Sequence, residues 1–263
     1  MEIIKAIKER RSVRNYNGQP LDHEALDYLQ RAINDSYSLF GGSATIRLKS
    51  FDLEGDFKPS TYGVIRGASD FFLVGMGEDD DSALTAGFQF EQIVLKAWDK
   101  GLGTCWIAAT FKGSQFDKNE SWPDGESLRI ISPVGIPKEK NFFEKFTRKM
   151  LGSDNRKPIT ELFFETNFTK PISPKNKFFD ALAMLRLAPS STNSQPWRAL
   201  VEDNKVLFYY IPKSKISIID CGIGICHFYE TEKLGGAQGE FVKESSVPEA
   251  PKNWKYLISY RRV

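Results

Sequence analysis

The chain has 263 residues, 41% of them hydrophobic and 27% charged, which is typical of a soluble globular protein. Its formal net charge of +2 gives no strong field for nucleic acid, and no apolar run approaches the roughly 20 residues that span a bilayer. Cys221, Cys226 and His227 lie close together, but in an apolar run where buried thiols are common. We therefore expect no metal and no nucleic-acid or membrane partner, and the cytoplasm is the default compartment.

The N-terminal segment predicts a short amphipathic helix that ends in a cluster of arginines. Ile3, Ile4 and Ile7 share one face, and Arg10-Arg11-Ser12-Val13-Arg14 follows. Three guanidiniums and a hydroxyl within five residues can bind a phosphate from several directions, because the planar guanidinium matches phosphate oxygens. A solvated helix end is the alternative, since positive charge is favoured at a helix C-terminus.

The middle of the chain predicts a strand, a long helix and a second strand. Residues 68–77 are a short apolar run between turn-forming residues, which is typical of a buried strand. A helix over residues 81–100 ends at a glycine, Gly101, and residues 128–134 read as another strand.

A polar loop follows the next helical pattern, which covers residues 179–187. The loop reads Ala188-Pro189-Ser190-Ser191-Thr192-Asn193-Ser194-Gln195-Pro196-Trp197, and Pro189 ends the helix because its ring disfavours the α conformation before it. Hydroxyls and amides on a turn can form short hydrogen bonds to a polar ring or a phosphate. An ordinary polar loop is the alternative interpretation.

These segments resemble the FMN-dependent nitroreductase family. The loop 188–197 is similar, almost letter for letter, to the family's flavin-contacting loop, and residues 10–14 resemble the motif that holds the phosphate and ribityl chain of FMN. Residues 101–109 and 133–137 match two further family patterns, Gly-Leu-Gly-x-Cys-Trp-Ile and Pro-Val-Gly-x-Pro, in the same order. The resemblance covers most of the chain.

The resemblance implies a fold and an activity. The fold would be α+β, an α/β/α sandwich with a mixed, mainly antiparallel sheet. The activity would be an oxidoreductase reaction that passes hydride or electrons from NAD(P)H through FMN to nitro compounds, quinones or related small acceptors. Since the flavin carries the chemistry, no catalytic side chain is expected. A flavin-binding carrier or sensor with little turnover, and a flavin-destroying or dehalogenating enzyme on the same scaffold, remain alternatives.

The resemblance also implies a set of FMN contacts, carried over position by position. Ala108 and Ala109 stand where the family has glycines whose backbone faces the flavin ring. Arg156 and Lys157 resemble the family's C-terminal phosphate contact, although Asp154 occupies a position that is usually basic. The predicted cofactor-binding residues are Arg10, Arg11, Ser12, Arg14, Ala108, Ala109, Arg156, Lys157, Pro189, Ser190, Ser191, Thr192, Asn193 and Gln195.

The position of the loop departs from the family pattern. In the family this loop lies soon after the arginine motif, whereas residues 32–40 contain nothing like it. An internal repeat would explain the displacement, because Leu26 to Ala32 pairs with Leu182 to Ala188, both helix ends just before the loop position. A spacing of fourteen positions between two glycines also occurs twice, in Gly87 and Gly101 and in Gly222 and Gly236.

The repeat predicts two nitroreductase-like halves in one structural unit, related by an internal pseudo-twofold axis. Residues 1–163 would carry the arginine motif, and residues 164–263 would carry the loop. One complete FMN site should then form within each chain, and a monomeric pseudo-dimer is favoured over a homodimer. Phe111, Phe116 and Trp122 lie where the family has a lid over the flavin, and simple loop packing is an equal alternative.

Overall fold

A computed structural model describes residues 3–52, 60–138 and 155–263 of the chain. The helices of this part are, in order, α1 (Ile3–Glu9), α2 (His23–Asn34), α3 (Asp80–Asp99), α4 (Gly113–Phe116), α5 (Ile159–Leu162), α6 (Phe179–Arg186) and α7 (Ser217–Leu234). The strands are β1 (Ala44–Ser50), β2 (Asp70–Met76), β3 (Gly103–Thr104), β4 (Ser127–Gly135), β5 (Phe163–Glu165), β6 (Trp197–Glu202), β7 (Lys205–Tyr210), β8 (Gly239–Val242) and β9 (Lys255–Arg262). The predicted α+β class is confirmed.

The strands form two sheets. The first has the order β1-β2-β4-β3, and all its pairs are antiparallel. The second has the order β5-β6-β7-β9-β8, and only the β5–β6 pair is parallel. The pairing is therefore mixed and mainly antiparallel, as predicted, but it is divided between two separate sheets.

The two sheets repeat one topology. Each sheet has two strands directly before a long helix and two further strands after it in chain order. The first set is β1-β2-α3-β3-β4, and the second is β6-β7-α7-β8-β9. Both sets place the fourth strand between the second and the third. A register shift interrupts β2 between Val74 and Gly75, and another interrupts β7 between Phe208 and Tyr209. An internal duplication predicts such a recurrence. The predicted boundary after residue 163 falls inside β5, which belongs to the second sheet.

Helices α3 and α7 pack against each other at a pair of glycines. A Cβ atom built on Gly87 would lie 2.2 Å from the carbonyl oxygen of Ile219, and one on Gly222 would lie 2.4 Å from that of Leu84. Only glycine allows the two backbones to come this close. Both helices end at a glycine with positive φ, Gly101 at +76° and Gly236 at +77°.

One hydrophobic core connects both halves of the chain. It includes Phe88 and Phe90 from α3, Ile223 and Phe228 from α7, and residues of both sheets. Helix α7 is buried around almost its whole circumference, because it lies between α3 on one side and α6 and the second sheet on the other. The two halves therefore cannot expose these helices to water as separate domains.

The aromatic side chains proposed for a lid are packed into the structure. Phe116 is fully buried, and its ring centroid lies 5.5 Å from that of Phe51 and 5.1 Å from that of Phe71. Trp122 lies against Gly75, where a Cβ atom would come within 2.2 Å of the indole. The structure thus favours loop packing for this segment. Among the residues described, no helix combines the length and the apolarity needed to cross a bilayer.

We predict that Gly87→Ala and Gly222→Ala each lower the free energy of unfolding by about 2 kcal/mol, because the added methyl group must push two helix backbones apart. The helix propensity of alanine, worth up to about 1 kcal/mol, recovers only part of this cost. Urea unfolding measures the change. Gly41→Ala is the control, since a Cβ atom there meets nothing within 4 Å, and an equal loss in this variant would contradict the explanation.

Candidate functional site

The arginine motif lies along the segment that follows α3. Ser12 forms a parallel bridge with Thr104, and the N–H of Val13 donates to the Thr104 carbonyl at 2.8 Å. Gly103 is required for this contact, because a Cβ atom there would lie 2.6 Å from the Val13 side chain. Two segments that the sequence predicted for flavin binding, residues 10–14 and 101–109, are therefore adjacent.

Arg10 is a buried cation with unused hydrogen-bonding capacity. Its side chain is 4% exposed, and its Nε lies 3.7 Å from Oε1 of Glu91. Within the described part of the chain, neither Nε nor Nη2 of Arg10 has a hydrogen-bond partner. Buried donors are nearly always paired, because an unpaired one loses its hydration without compensation. An anionic ligand with several acceptor oxygens would satisfy both atoms.

The three guanidiniums of the motif do not share one surface. Burial raises the pKa of the Cys105 thiol, while the charges of Arg14 and Arg10 and a hydrogen bond from Ser12 oppose the rise. Arg14, Arg10 and Ser12 therefore lie around one thiol. The guanidinium of Arg11 lies elsewhere, 5.5 Å from the centre of the Trp98 ring.

A buried polar network connects Arg10 to the second half of the chain. Glu91 on α3 accepts a hydrogen bond from Trp106 Nε1 at 2.9 Å, and its other oxygen lies 2.9 Å from His227 Nε2 on α7. Glu91 and His227 are both fully buried. His227 Nδ1 lies 3.2 Å from the carbonyl oxygen of Met184, which can only accept, so this nitrogen carries a proton. The network thus runs from the arginine motif to α6, the helix that leads into the loop.

Local sequence patterns do not reveal this network. They place His227 in an apolar run typical of core packing and do not single out Glu91. The available signal was a carboxylate in the middle of a largely apolar helix, since a fully buried glutamate is rare without a partner. Its partner, His227, lies 136 positions away and cannot be read from local spacing.

We predict that Glu91→Leu lowers the free energy of unfolding by on the order of 3 kcal/mol, because it leaves Arg10, His227 and Trp106 buried without their shared acceptor. Chemical denaturation gives the value. Glu78→Leu is the matched control, because Glu78 pairs with Arg129 at 2.6 Å but its side chain is 84% exposed. An exposed pair of this kind contributes less than about 1 kcal/mol. Equal effects of the two substitutions would show that the network does not stabilise the fold.

The loop predicted for flavin binding is a tight turn with three residues in the left-handed region. Thr192, Asn193 and Gln195 have φ values of 50°, 55° and 48°. Such angles are strained for non-glycine residues and often occur at ligand sites, where the surrounding structure holds them. Ser190 closes the turn, because its Oγ accepts the N–H of Gln195 at 2.9 Å and its carbonyl accepts the N–H of Asn193 at 3.0 Å. Pro189 precedes the turn and is partly exposed.

The second basic motif lies against this loop. Arg156 Nη1 donates to Asn193 Oδ1 at 3.0 Å, and the backbone N–H of Lys157 donates to Gln195 Oε1 at 2.8 Å. The side-chain amides of Asn193 and Gln195 also donate to the Asn155 carbonyl. The structure therefore brings residues 156–157 and 190–195 together, and the two amides brace the loop against the basic segment.

The remaining predicted contacts are at Ala108 and Ala109. They follow Ile107, which pairs with Ile131, and Ala109 is exposed. In the described residues, neither alanine N–H donates to another part of the chain, so both are available to a ligand. Among the described contacts, the arginine motif and the loop are joined through Glu91, His227 and the Met184 carbonyl rather than by a direct bond.

The position that corresponds to the loop in the first half is filled by aromatic side chains. Tyr37 donates a hydrogen bond to Glu230 at 2.7 Å, and the Phe40 ring lies 5.3 Å from Phe88 and 5.2 Å from Phe241. These edge-to-face contacts are part of the main core. A polar ligand has no comparable hydrogen-bonding turn at this position.

Residues 2–231 match the family model described as "Putative TM nitroreductase". The chain belongs to this nitroreductase family. The predicted resemblance is thereby confirmed, and family membership assigns the chain to the oxidoreductases. A comparison with curated proteins gives no match.

Several solved structures are similar to the chain. A "putative nitroreductase" from Thermotoga maritima is 21% identical, with a TM-score of 0.62 over 100% of this chain and 93% of that one, so the two share a fold. An FMN-dependent nitroreductase from Clostridium difficile is 19% identical, with a TM-score of 0.41 over 52% of this chain and 89% of its own. A nitroreductase with bound FMN from Bacteroides fragilis is 15% identical, with a TM-score of 0.40 over 54% and 91%.

Proposed function

We propose that the protein is an FMN-dependent oxidoreductase with one flavin site in each chain. The observation that carries the proposal is Arg10, a buried guanidinium whose Nε and Nη2 have no partner among the described residues. A phosphate dianion offers the charge and the acceptor oxygens that this group needs. FMN is favoured over FAD because the sequence contains no adenosine-binding fingerprint beside its phosphate-binding residues.

The residues of the site fit FMN in three groups. Arg10, Arg14 and Arg156 would hold the phosphate, and Ser190 and Ser191 would meet the ribityl hydroxyls or the ring edge. The N–H groups of the two alanines at 108 and 109 would face the ring. Arg11 would contribute less to phosphate binding than Arg10 and Arg14, since its guanidinium lies over the ring of Trp98. Asn193 and Gln195 act mainly by holding the loop against residues 155–157.

The side chains of the site would bind and orient the cofactor, and none needs to transfer a proton. When bound, FMN supplies the redox chemistry, taking hydride from NAD(P)H and passing electrons to a nitro compound, a quinone or a related acceptor. The buried Glu91–His227 pair would position Arg10 through the contact between Glu91 and the guanidinium, and it would not touch a reactant. Consistent with this, the site combines cations and backbone donors without an exposed histidine.

The absorption spectrum of freshly purified protein and the identity of the released flavin test the cofactor. Chromatography should show FMN, and release of FAD would overturn that part of the proposal. Oxidation of NADH and NADPH with nitrofurazone, menadione or free flavin as acceptor then tests turnover. Tight flavin binding without turnover on any of these pairs would favour the carrier or sensor instead.

We predict that the double substitution Arg10→Ala and Arg14→Ala removes FMN from the folded protein. Each charge-assisted hydrogen bond to phosphate contributes about 1.5–3 kcal/mol, so two losses should weaken binding at least a hundredfold. Flavin titration gives the affinity, and circular dichroism checks the fold. Arg129→Ala removes a partly exposed arginine as the control. An unchanged affinity in the double variant would show that the phosphate binds elsewhere.

The predicted pseudo-dimer is supported by three features of the chain. Its two sheets have the same strand order, its two long helices meet at equivalent glycines, and its first half carries aromatic side chains where the second carries the loop. The arginine motif of one half would then complete a site with the loop of the other. The sequence has one arginine motif, residues 10–14, and one such loop, residues 188–197, so we expect one site of this kind.

We predict one FMN per polypeptide and a monomer in solution. Light scattering combined with the flavin-to-protein ratio measures both. The alternative is a homodimer in which each loop reaches the neighbouring chain. It also has one FMN per polypeptide, so the molar mass and the flavin-to-protein ratio must be interpreted together. An obligate dimer in which mixing Arg10→Ala chains with Asn193→Ala chains restores one good site would overturn the monomer.

A further inference from the structure

A buried carboxylate lies directly behind the loop. Asp220, in the first turn of α7, is 3% exposed, and both of its carboxylate oxygens are 3.1 Å from the backbone nitrogen of Ser191. Ser191 begins the turn in which Thr192 and Asn193 adopt the left-handed conformation. Asp220 therefore holds the turn at the point where its strain begins.

We propose that Asp220 is a positioning residue that sets the loop 190–195 in the conformation that binds flavin. The inference rests on the proposed function, and it adds a residue that makes no contact with the cofactor. Its action would pass through the Ser191 N–H to the hydroxyls of Ser190 and Ser191.

The side chain of Asp220 does not cap the backbone N–H groups of its own helix. Helix α7 begins after Ile216, which has no side-chain cap, and the Asp220 backbone N–H already donates to the Ile216 carbonyl at 3.0 Å. Ser217 Oγ accepts the N–H groups of Lys213 and Ser214, which closes the preceding turn. Burying a carboxylate at this position is costly, and the bond to the loop is the contact that compensates for it.

The surroundings of Asp220 make its charge sensitive to pH. Burial raises the pKa of its carboxyl to about 7, and the N–H of Ser191 and the hydroxyl of Ser194 oppose the rise. The ionisable group that interacts with Asp220 is Cys221 on the same helix, and the Cys221 thiol in turn interacts with Arg198 from β6 and Tyr210 from β7. Since the folded pKa lies above the unfolded value of 3.8, ionisation is unfavourable until the pH passes about 7. The carboxylate then accepts the N–H more strongly than the neutral acid does.

The test is the dissociation constant of FMN, measured by flavin fluorescence at pH 6 and pH 8 for the full-length protein and its variants. Asp220→Ala should weaken binding at least about tenfold at pH 8, because the loop loses a charge-assisted acceptor. Asp220→Asn keeps one acceptor oxygen but cannot ionise. It should bind within about threefold of the wild type at pH 6 and should lack the additional tightening that the wild type shows at pH 8.

The design separates this tightening from other effects. The FMN phosphate titrates equally in the wild type and in Asp220→Asn, so only the difference between their pH responses reports on residue 220. Asp79→Asn is the matched control, because Asp79 likewise accepts a backbone N–H, that of Ser82 at 2.8 Å, but at the start of α3. It should leave the FMN affinity unchanged at both pH values.

The outcomes distinguish the inference from the proposed function. A wild type that binds no FMN overturns both. A wild type that binds FMN, together with an unchanged affinity in Asp220→Ala or the same pH response in Asp220→Asn, overturns only the role of Asp220. If Asp220→Ala does not fold, the difference in pH response between the wild type and Asp220→Asn decides whether Asp220 positions the loop.

Discussion

The close crossing of α3 and α7 is the constraint on which the rest of the structure depends. Because Gly87 and Gly222 have no side chains, the two helix backbones meet directly, and the two halves share one core. The same crossing brings Glu91 within hydrogen-bonding distance of His227, although the two residues are far apart in the chain. A wider separation would leave Glu91 Oε1 and His227 Nε2 buried without the contact between them, which is unfavourable in an apolar interior. Packing at the crossing thus determines whether the polar network can form.

The network includes the groups that surround the buried positive charge of Arg10. A guanidinium in an apolar interior is costly unless it is paired, and Glu91 offers Arg10 only a partial partner at 3.7 Å. In the proposed function, the remaining donors of Arg10 would bind an anion. A comparable arrangement with an acidic group lies behind the loop. The carboxyl of Asp220 is buried and accepts a hydrogen bond from the backbone N–H of Ser191. In each arrangement a buried ionisable group contacts a polar group from a distant part of the chain.

The two halves have the same topology but different chemistry. The second half carries a strained polar turn, whereas the first half fills the corresponding position with Tyr37, Phe40 and their aromatic neighbours. Aromatic packing adds to the core on which both halves depend, while a strained turn must be held by surrounding contacts. The arrangement is consistent with a repeat in which one half kept the loop and the other strengthened the core.

The sequence by itself determined the local elements and the motifs, because these depend on periodicity and on neighbouring residues. The predicted strand, long helix and second strand agree with β2, α3 and β4 to within one or two residues, and the resemblance to the family is confirmed. Only the tertiary structure decided that the strands form two sheets, that Arg11 lies on Trp98 apart from Arg10, and that Asp220 holds the loop. These features arise where elements distant in the chain are packed together, and local spacing contains no information about which buried groups will meet there.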